Sequence, residues 1–185
     1  MSGWITKLHL RVKTTLRARI AFLLIIALLF GAPIWGGHTL TPQEQKVLKI
    51  WLSGHPEDRL ATDEDCDCAD DIRRMKAGRG GAWKPVPDYH PYAATGDFNG
   101  DGIEDFAVVV IDSSKKEKNY TLLIFNGAFD VEKAVPNFIK PGLDLKFVGL
   151  FYGPPRPKPY RLLLSGFESD SGLLLVPRGQ SYVLK

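Results

Sequence analysis

The chain has 185 residues, 44% of them hydrophobic and 24% charged, with 24 Lys and Arg against 21 Asp and Glu and a formal net charge of +3. Five of the bases, Lys7, Arg11, Lys13, Arg17 and Arg19, precede every acid, so the remainder carries 19 against 21, a net charge of −2. That balance argues against nucleic acid as a partner, since no surplus of basic side chains is left to neutralise phosphates, and the length beyond the first segment suits one domain with its own core.

Residues 1–19 are basic and free of acids, and residues 20–37 carry no charge. A basic segment followed by an apolar one is the form of a secretory signal, with the basic flank kept in the cytoplasm. Pro33, Ile34 and Trp35 interrupt the small residues that a signal peptidase would need. The uncharged run is close to the lower limit of about 17 residues for a spanning helix. The sequence therefore predicts a signal anchor or signal peptide over 1–37 and a single exported domain over 38–185. The anchored form is a single-pass inner-membrane protein whose domain lies in the periplasm or outside; the alternative is secretion after cleavage. No lipobox cysteine follows the apolar run.

Thr41-Pro42-Gln43-Glu44 supplies an N-cap, a proline at the first helical position and a capping-box Glu. Val47, Leu48, Trp51 and Leu52 then fall on one helical face, and Ser53-Gly54-His55-Pro56 stops the helix. A second helix is expected from Thr62 or Asp63 to Gly78. Asp63, Glu64 and Asp65 suit its first turn and Arg73, Arg74 and Lys76 its last, with Cys68, Ala69, Ile72 and Met75 as the apolar stripe. Cys66 and Cys68 are the two cysteines. In an exported domain they form a local disulfide, stay as thiols, or take part in intermolecular or metal chemistry; a second ligand pair for zinc is missing.

Residues 78–92 are rich in Gly, Pro and aromatics and read as an irregular connection. Trp83, Tyr89 and Tyr92 either cover a core edge or line a groove for sugar or peptide. His90 is a candidate base without a partner acid at any recognisable spacing.

Asp97-Phe98-Asn99-Gly100-Asp101-Gly102-Ile103-Glu104-Asp105 places oxygen-bearing side chains at alternate positions around glycines. Hard cations such as calcium take six to eight oxygens, and such alternation supplies them. Asp97, Asn99, Asp101 and Asp105 would donate side-chain oxygens and Ile103 its backbone carbonyl; a metal-free Asn-Gly/Asp-Gly turn is the other reading. An EF-hand would place a Glu at the twelfth position and continue as a helix, whereas here Val108 stands there and the exit is β-branched. The stretch 96–111 resembles the calcium loops of FG-GAP and VCBS repeats. The resemblance implies structural calcium on Asp97, Asn99, Asp101, Ile103 and Asp105 and no catalytic role. A second copy is missing, so a propeller is not expected.

Beyond the loop the pattern predicts strands at 105–111, 120–125, 145–152, 160–164, 172–176 and 181–184. Residues 153–159, dense in proline, suit polyproline II. The fold class expected is α+β: two short helices and an antiparallel sheet of five or six strands. Sequence signatures of nucleotide, zinc-protease and serine-hydrolase sites are absent, and Glu168 with Asp170 reads as a solvated pair beside a turn. Three functions remain: a membrane-anchored or secreted calcium-binding domain with a non-catalytic binding or envelope role and a protein or glycan partner; an exported hydrolase with a site near His90; and an inhibitor or assembly factor for an envelope protein, which would expose an apolar patch.

Overall fold

The computed structural model describes residues 40–78, 85–130, 132–153, 161–167, 169 and 172–185. The expectations for residues 1–37, for Trp83, for the proline run beyond Gly153 and for Glu168 and Asp170 lie outside the described residues.

The first helix, α1 (Pro42–Ser53), starts as its sequence dictates. Glu44 accepts the N–H of Thr41 at 2.6 Å and returns its own N–H to the Thr41 hydroxyl at 3.3 Å. Val47, Leu48 and Trp51 are buried and Leu52 is half-buried. A short strand β1 (Asp58–Leu60), a 3-10 turn (Asp63–Asp65) and α2 (Ala69–Ala77) follow. The single helix expected from Thr62 to Gly78 is thus divided. Cys66 and Cys68 are joined by a disulfide, and side chains two apart do not face one another on a helix, so the helix begins only after the bridge. Cys68, Ile72 and Met75 are buried as expected, whereas Ala69 is exposed. Gly78 ends α2 with φ +66°.

The remaining elements are strands: β2 (Ala93–Gly96), β3 (Asp105–Asp112), β4 (Tyr120–Phe125), β5 (Phe138–Leu143), β6 (Val148–Gly153), β7 (Arg161–Gly166), β8 (Gly172–Arg178) and β9 (Ser181–Leu184). They form two antiparallel sheets. One has the order β1-β3-β4-β5 with β2 also paired to β3; the other is β6-β7-β8-β9. The protein is therefore mostly β with two short helices, which corrects the expectation of an α+β fold with one sheet of five or six strands. The missed strands lack a strand signal: β1 has three residues, β2 is Ala-Ala-Thr-Gly, and β5 contains Pro141 and Gly142. Pro141 and a register shift between Tyr120 and Leu122 are tolerated because β5 lies at an edge.

All eight residues of β3 are buried. The period-2 alternation of a strand divides them between two cores. Phe106, Val108 and Val110 pack with Val47, Leu48 and Trp51 of α1, while Ala107, Val109 and Ile111 share a core with Ile72 and Met75 of α2 and Leu150, Leu162 and Leu175 of the second sheet. β1 and β2 lie end to end along one edge of β3, with Leu60 opposite Val110 and Ala93 opposite Val108. This arrangement holds the acidic loop at one end of β3 and a groove beside α1.

Candidate functional site

The acidic loop joins β2 to β3, whose paired ends Gly96 and Asp105 form its base. Phe98 is fully buried, edge-on to the ring of Tyr152 at 5.0 Å, and the Tyr152 hydroxyl donates to the Asp97 carbonyl at 3.1 Å. A side chain at Gly96 would strike that same ring, so the glycine admits the tyrosine. The plug and the tyrosine fix the entry of the loop.

Its tip is folded by its own carboxylates. Asp97 Oδ1 accepts the N–H groups of Gly100 at 2.6 Å and Asp101 at 3.1 Å, and Asp97 Oδ2 accepts that of Gly102 at 2.9 Å. Gly100 and Gly102 have φ of +82° and +86°, values that favour glycine. Asn99 and Asp101 are linked in both directions, and Asp101 Oδ1 accepts the N–H of Ile103 at 2.8 Å. The Ile103 side chain is exposed.

Asp105 sits apart from that exposed tip. It is fully buried, and its carboxylate accepts N–H groups from Phe98 at 2.8 Å, Asn99 at 3.3 Å and Gly127 at 2.7 Å, with the Tyr182 hydroxyl at 3.4 Å. Burial pushes its pKa up to about 6, opposed by the amide donors and reinforced by the charge of Asp101. Burial also raises the Tyr182 phenol, and Asp105, Asp101 and Asp97 add to the effect. The three carboxylates therefore act in one field. Among the described residues no Lys or Arg forms an ion pair with any of them.

The donor chemistry suits a hard cation: the side chains are oxygen ligands and the negative charge is uncompensated. The geometry is that of a loop closed on its own amides. Among the described residues no three His, Cys, Asp or Glu side chains converge as a metal cluster.

A second site lies where sequence reading left His90 alone. His90 Nδ1 is 2.8 Å from Asp63 Oδ1, and Lys76 Nζ is 2.8 Å from Asp63 Oδ2. Burial raises the Asp63 pKa, but the hydrogen bonds from Lys76 and His90 outweigh it and the net shift is downward. The partner acid is 27 residues away, in an acidic run that the sequence assigned to a helix N-terminus. Asp65 of the same run pairs with Arg59 at 2.5 Å, so each of these two acids is held by a cation of its own.

His90 and Asp63 line a groove of about 730 Å³ between α1 and the edge formed by β1 and β2. Leu40, Leu48, Leu52 and Leu60 give it apolar walls. Tyr92 also borders it, but Tyr89 and Tyr92 are buried, and Tyr89 packs against Phe151 and Phe167. Both tyrosines are core residues, and Tyr92 in addition borders the groove. Among the described residues no helix is long and apolar enough to cross a membrane.

Compared with protein-family models, with curated proteins and with solved structures, the chain gives no match.

Proposed function

We propose that the chain is a membrane-tethered, extracytoplasmic binding domain in which the Asp97–Asp105 loop takes a calcium ion that stiffens the lead into β3. The observation that supports this reading is the common field of Asp97, Asp101 and Asp105, which has no cationic partner among the described residues. Uncompensated carboxylates repel one another, and a divalent ion relieves that repulsion. Asp97, Asn99, Asp101 and Asp105 would supply side-chain oxygens and Ile103 a carbonyl. The ion's role is structural. Extracellular modules bind calcium with dissociation constants of about 0.1–1 mM, so such a site stays filled outside the cytoplasm without signalling. Titration calorimetry tests the site: wild type should take up one calcium ion with a dissociation constant in that range, and Asp101→Ala should show no heat of binding. Identical heats from the two proteins would rule out the loop as the site.

A second reading, an exported hydrolase, is favoured by the pairing of His90 with Asp63 at the groove. A carboxylate on Nδ1 fixes the tautomer that leaves Nε2 free to accept a proton. Turnover of short-chain nitrophenyl esters, abolished by His90→Ala, would support it; equal rates with and without the protein would end it.

A further inference from the structure

Residues 113–118, which join β3 to β4, are all exposed. Asp112 holds the turn: its Oδ1 accepts the N–H and the hydroxyl of Ser114, and Lys115 Nζ lies 2.6 Å from its Oδ2. Asn119 closes the hairpin, its carbonyl accepting the Asp112 N–H at 2.9 Å. Among the described residues its side-chain amide makes one hydrogen bond, from Nδ2 to the Lys115 carbonyl at 3.4 Å. That contact is long for an N–H donor, so the amide nitrogen is only weakly engaged.

Asn119-Tyr120-Thr121 is an Asn-x-Thr acceptor with a residue other than proline in the middle, the pattern that receives N-linked glycans. Of the four asparagines, Asn99, Asn119, Asn126 and Asn137, Asn119 alone has a Ser or Thr two residues on. Glu117 adds an acid two residues before it, which the stricter five-residue form of the acceptor requires. Such an acceptor belongs on a surface loop of an exported chain, and the hairpin turn is one.

We infer that Asn119 is a site of N-linked glycosylation. The donor is an oligosaccharide carried on a polyprenyl diphosphate, and a membrane oligosaccharyltransferase makes the transfer. Asn119 Nδ2 loses one proton and bonds to the anomeric carbon, while the bond from that carbon to the diphosphate oxygen breaks and the lipid diphosphate leaves with the electron pair. The inference rests on the exported reading of the chain and needs no calcium. Asn119 stands opposite Asp112, at the far end of β3 from Asp105, about 23 Å away along a strand of that length.

The fold sets when the transfer takes place. The enzyme reads Asn119 and Thr121 together, but Thr121 is paired with Val110 in the sheet. Tyr120 between them is buried and donates its hydroxyl to the Asp65 carbonyl at 2.9 Å. The closed hairpin therefore withholds the segment, and the glycan is added before β4 docks on β3. In the folded protein the sugar projects from the turn and shields Lys115, Lys116 and Lys118, whose peptide bonds sit at an exposed loop tip of the kind that proteases cut.

The test produces the full chain in cells that carry an oligosaccharyltransferase of the acid-reading class and its lipid-linked donor. Mass spectrometry of the intact chain and of its peptides reads the glycosylated fraction. One glycan, on Asn119, is the expected result. Asn119→Gln should abolish it. Thr121→Val, which keeps a β-branched side chain for β4, should abolish it with folding intact, while Thr121→Ser should retain it and Glu117→Gln should lower it. Purified folded chain offered to the same enzyme and donor should stay largely unmodified. A glycan that persists in Thr121→Val would overturn the inference. Protease added to intact spheroplasts reports export separately. A chain that is accessible and unglycosylated refutes the site alone, whereas a protected, unglycosylated chain refutes the exported reading and the site with it.

Discussion

The backbone N–H of Gly127 donates to Oδ1 of Asp105 at 2.7 Å, fastening the segment that leaves β4 to the first residue of β3. The other oxygen of the same carboxylate holds the N–H of Phe98 at 2.8 Å. One buried side chain thus joins the loop entry, the loop exit and the neighbouring strand.

Removing that side chain leaves the amides of Phe98, Asn99 and Gly127 without an acceptor. A buried unsatisfied group costs about 1–3 kcal/mol, so Asp105→Ala should lower the stability of the metal-free protein by about 3 kcal/mol or more. Asp105→Asn keeps one acceptor oxygen and, compared at pH 4 where Asp105 itself is protonated in the fold, should cost less than half as much. Urea denaturation of the two variants checks the order; equal losses would mean that the hydrogen bonds are not what Asp105 contributes.

Two carboxylates shifted in opposite directions lead the pH profile of metal-free protein, with Asp63, Asp112 and Asp130 also held down and Asp58 also pushed up. Burial raises Asp105 from 3.8 to about 6. A raised folded-state pKa means stability that is full below the unfolded value and is lost as pH rises, here between about 4 and 6, to a total of about 3 kcal/mol. Asp65 is held down to about 2, chiefly by the Arg59 guanidinium. A depressed pKa means stability present above about 4 and lost as pH falls towards 2, discounted to about 1 kcal/mol because Arg59 is half exposed. Metal-stripped protein should therefore melt highest near pH 4. Asp105→Asn should flatten the limb between pH 4 and 6, and Arg59→Ala the limb below it; a wild-type optimum near neutral pH without metal would contradict the assignment.

Tyr89 offers the reverse case. Its hydroxyl is buried and has no hydrogen-bond partner among the described residues, and its ring contacts are with Phe151 and Phe167. Tyr89→Phe keeps the ring and removes the orphaned group. The variant should be as stable as wild type or more stable by about 1 kcal/mol, and a loss above that size in thermal melting would reveal a partner for the hydroxyl.

The parts of this fold that the sequence made legible are those in which local chemistry and tertiary packing agree. The capping box at Thr41 and Glu44 and the β-branched run Phe106–Ile111 each carry a strong local signal, and both elements form where that signal places them. The dense apolar run of β3 also has a reason visible only in the fold, since it divides between the α1 core and the core shared with the second sheet. The second helix starts later than its acids suggest because three acids suit a 3-10 turn as well as a helix start, and the disulfide at Cys66 and Cys68 decides between them. β1 and β2 are strands because β3 offers them an edge, a cause outside their own sequence. The loop's turn was legible in Gly100 and Gly102, but the burial of Asp105 depends on Gly127, Tyr182 and the plug at Phe98. His90 remained without a partner in the sequence because Asp63 reaches it only through the packing of α2 and the 3-10 turn.

The central claim is that the Asp97–Asp105 loop is a structural calcium site, and thermal melting with calcium and with chelator tests it most directly. A ligand that binds only the folded state stabilises it by mass action, about 2.7 kcal/mol at a hundredfold excess over the dissociation constant. Wild type should melt several degrees higher in calcium than in chelator near neutral pH, and Asp101→Ala should melt at one temperature in both. Equal melting temperatures for wild type in calcium and in chelator would contradict the claim.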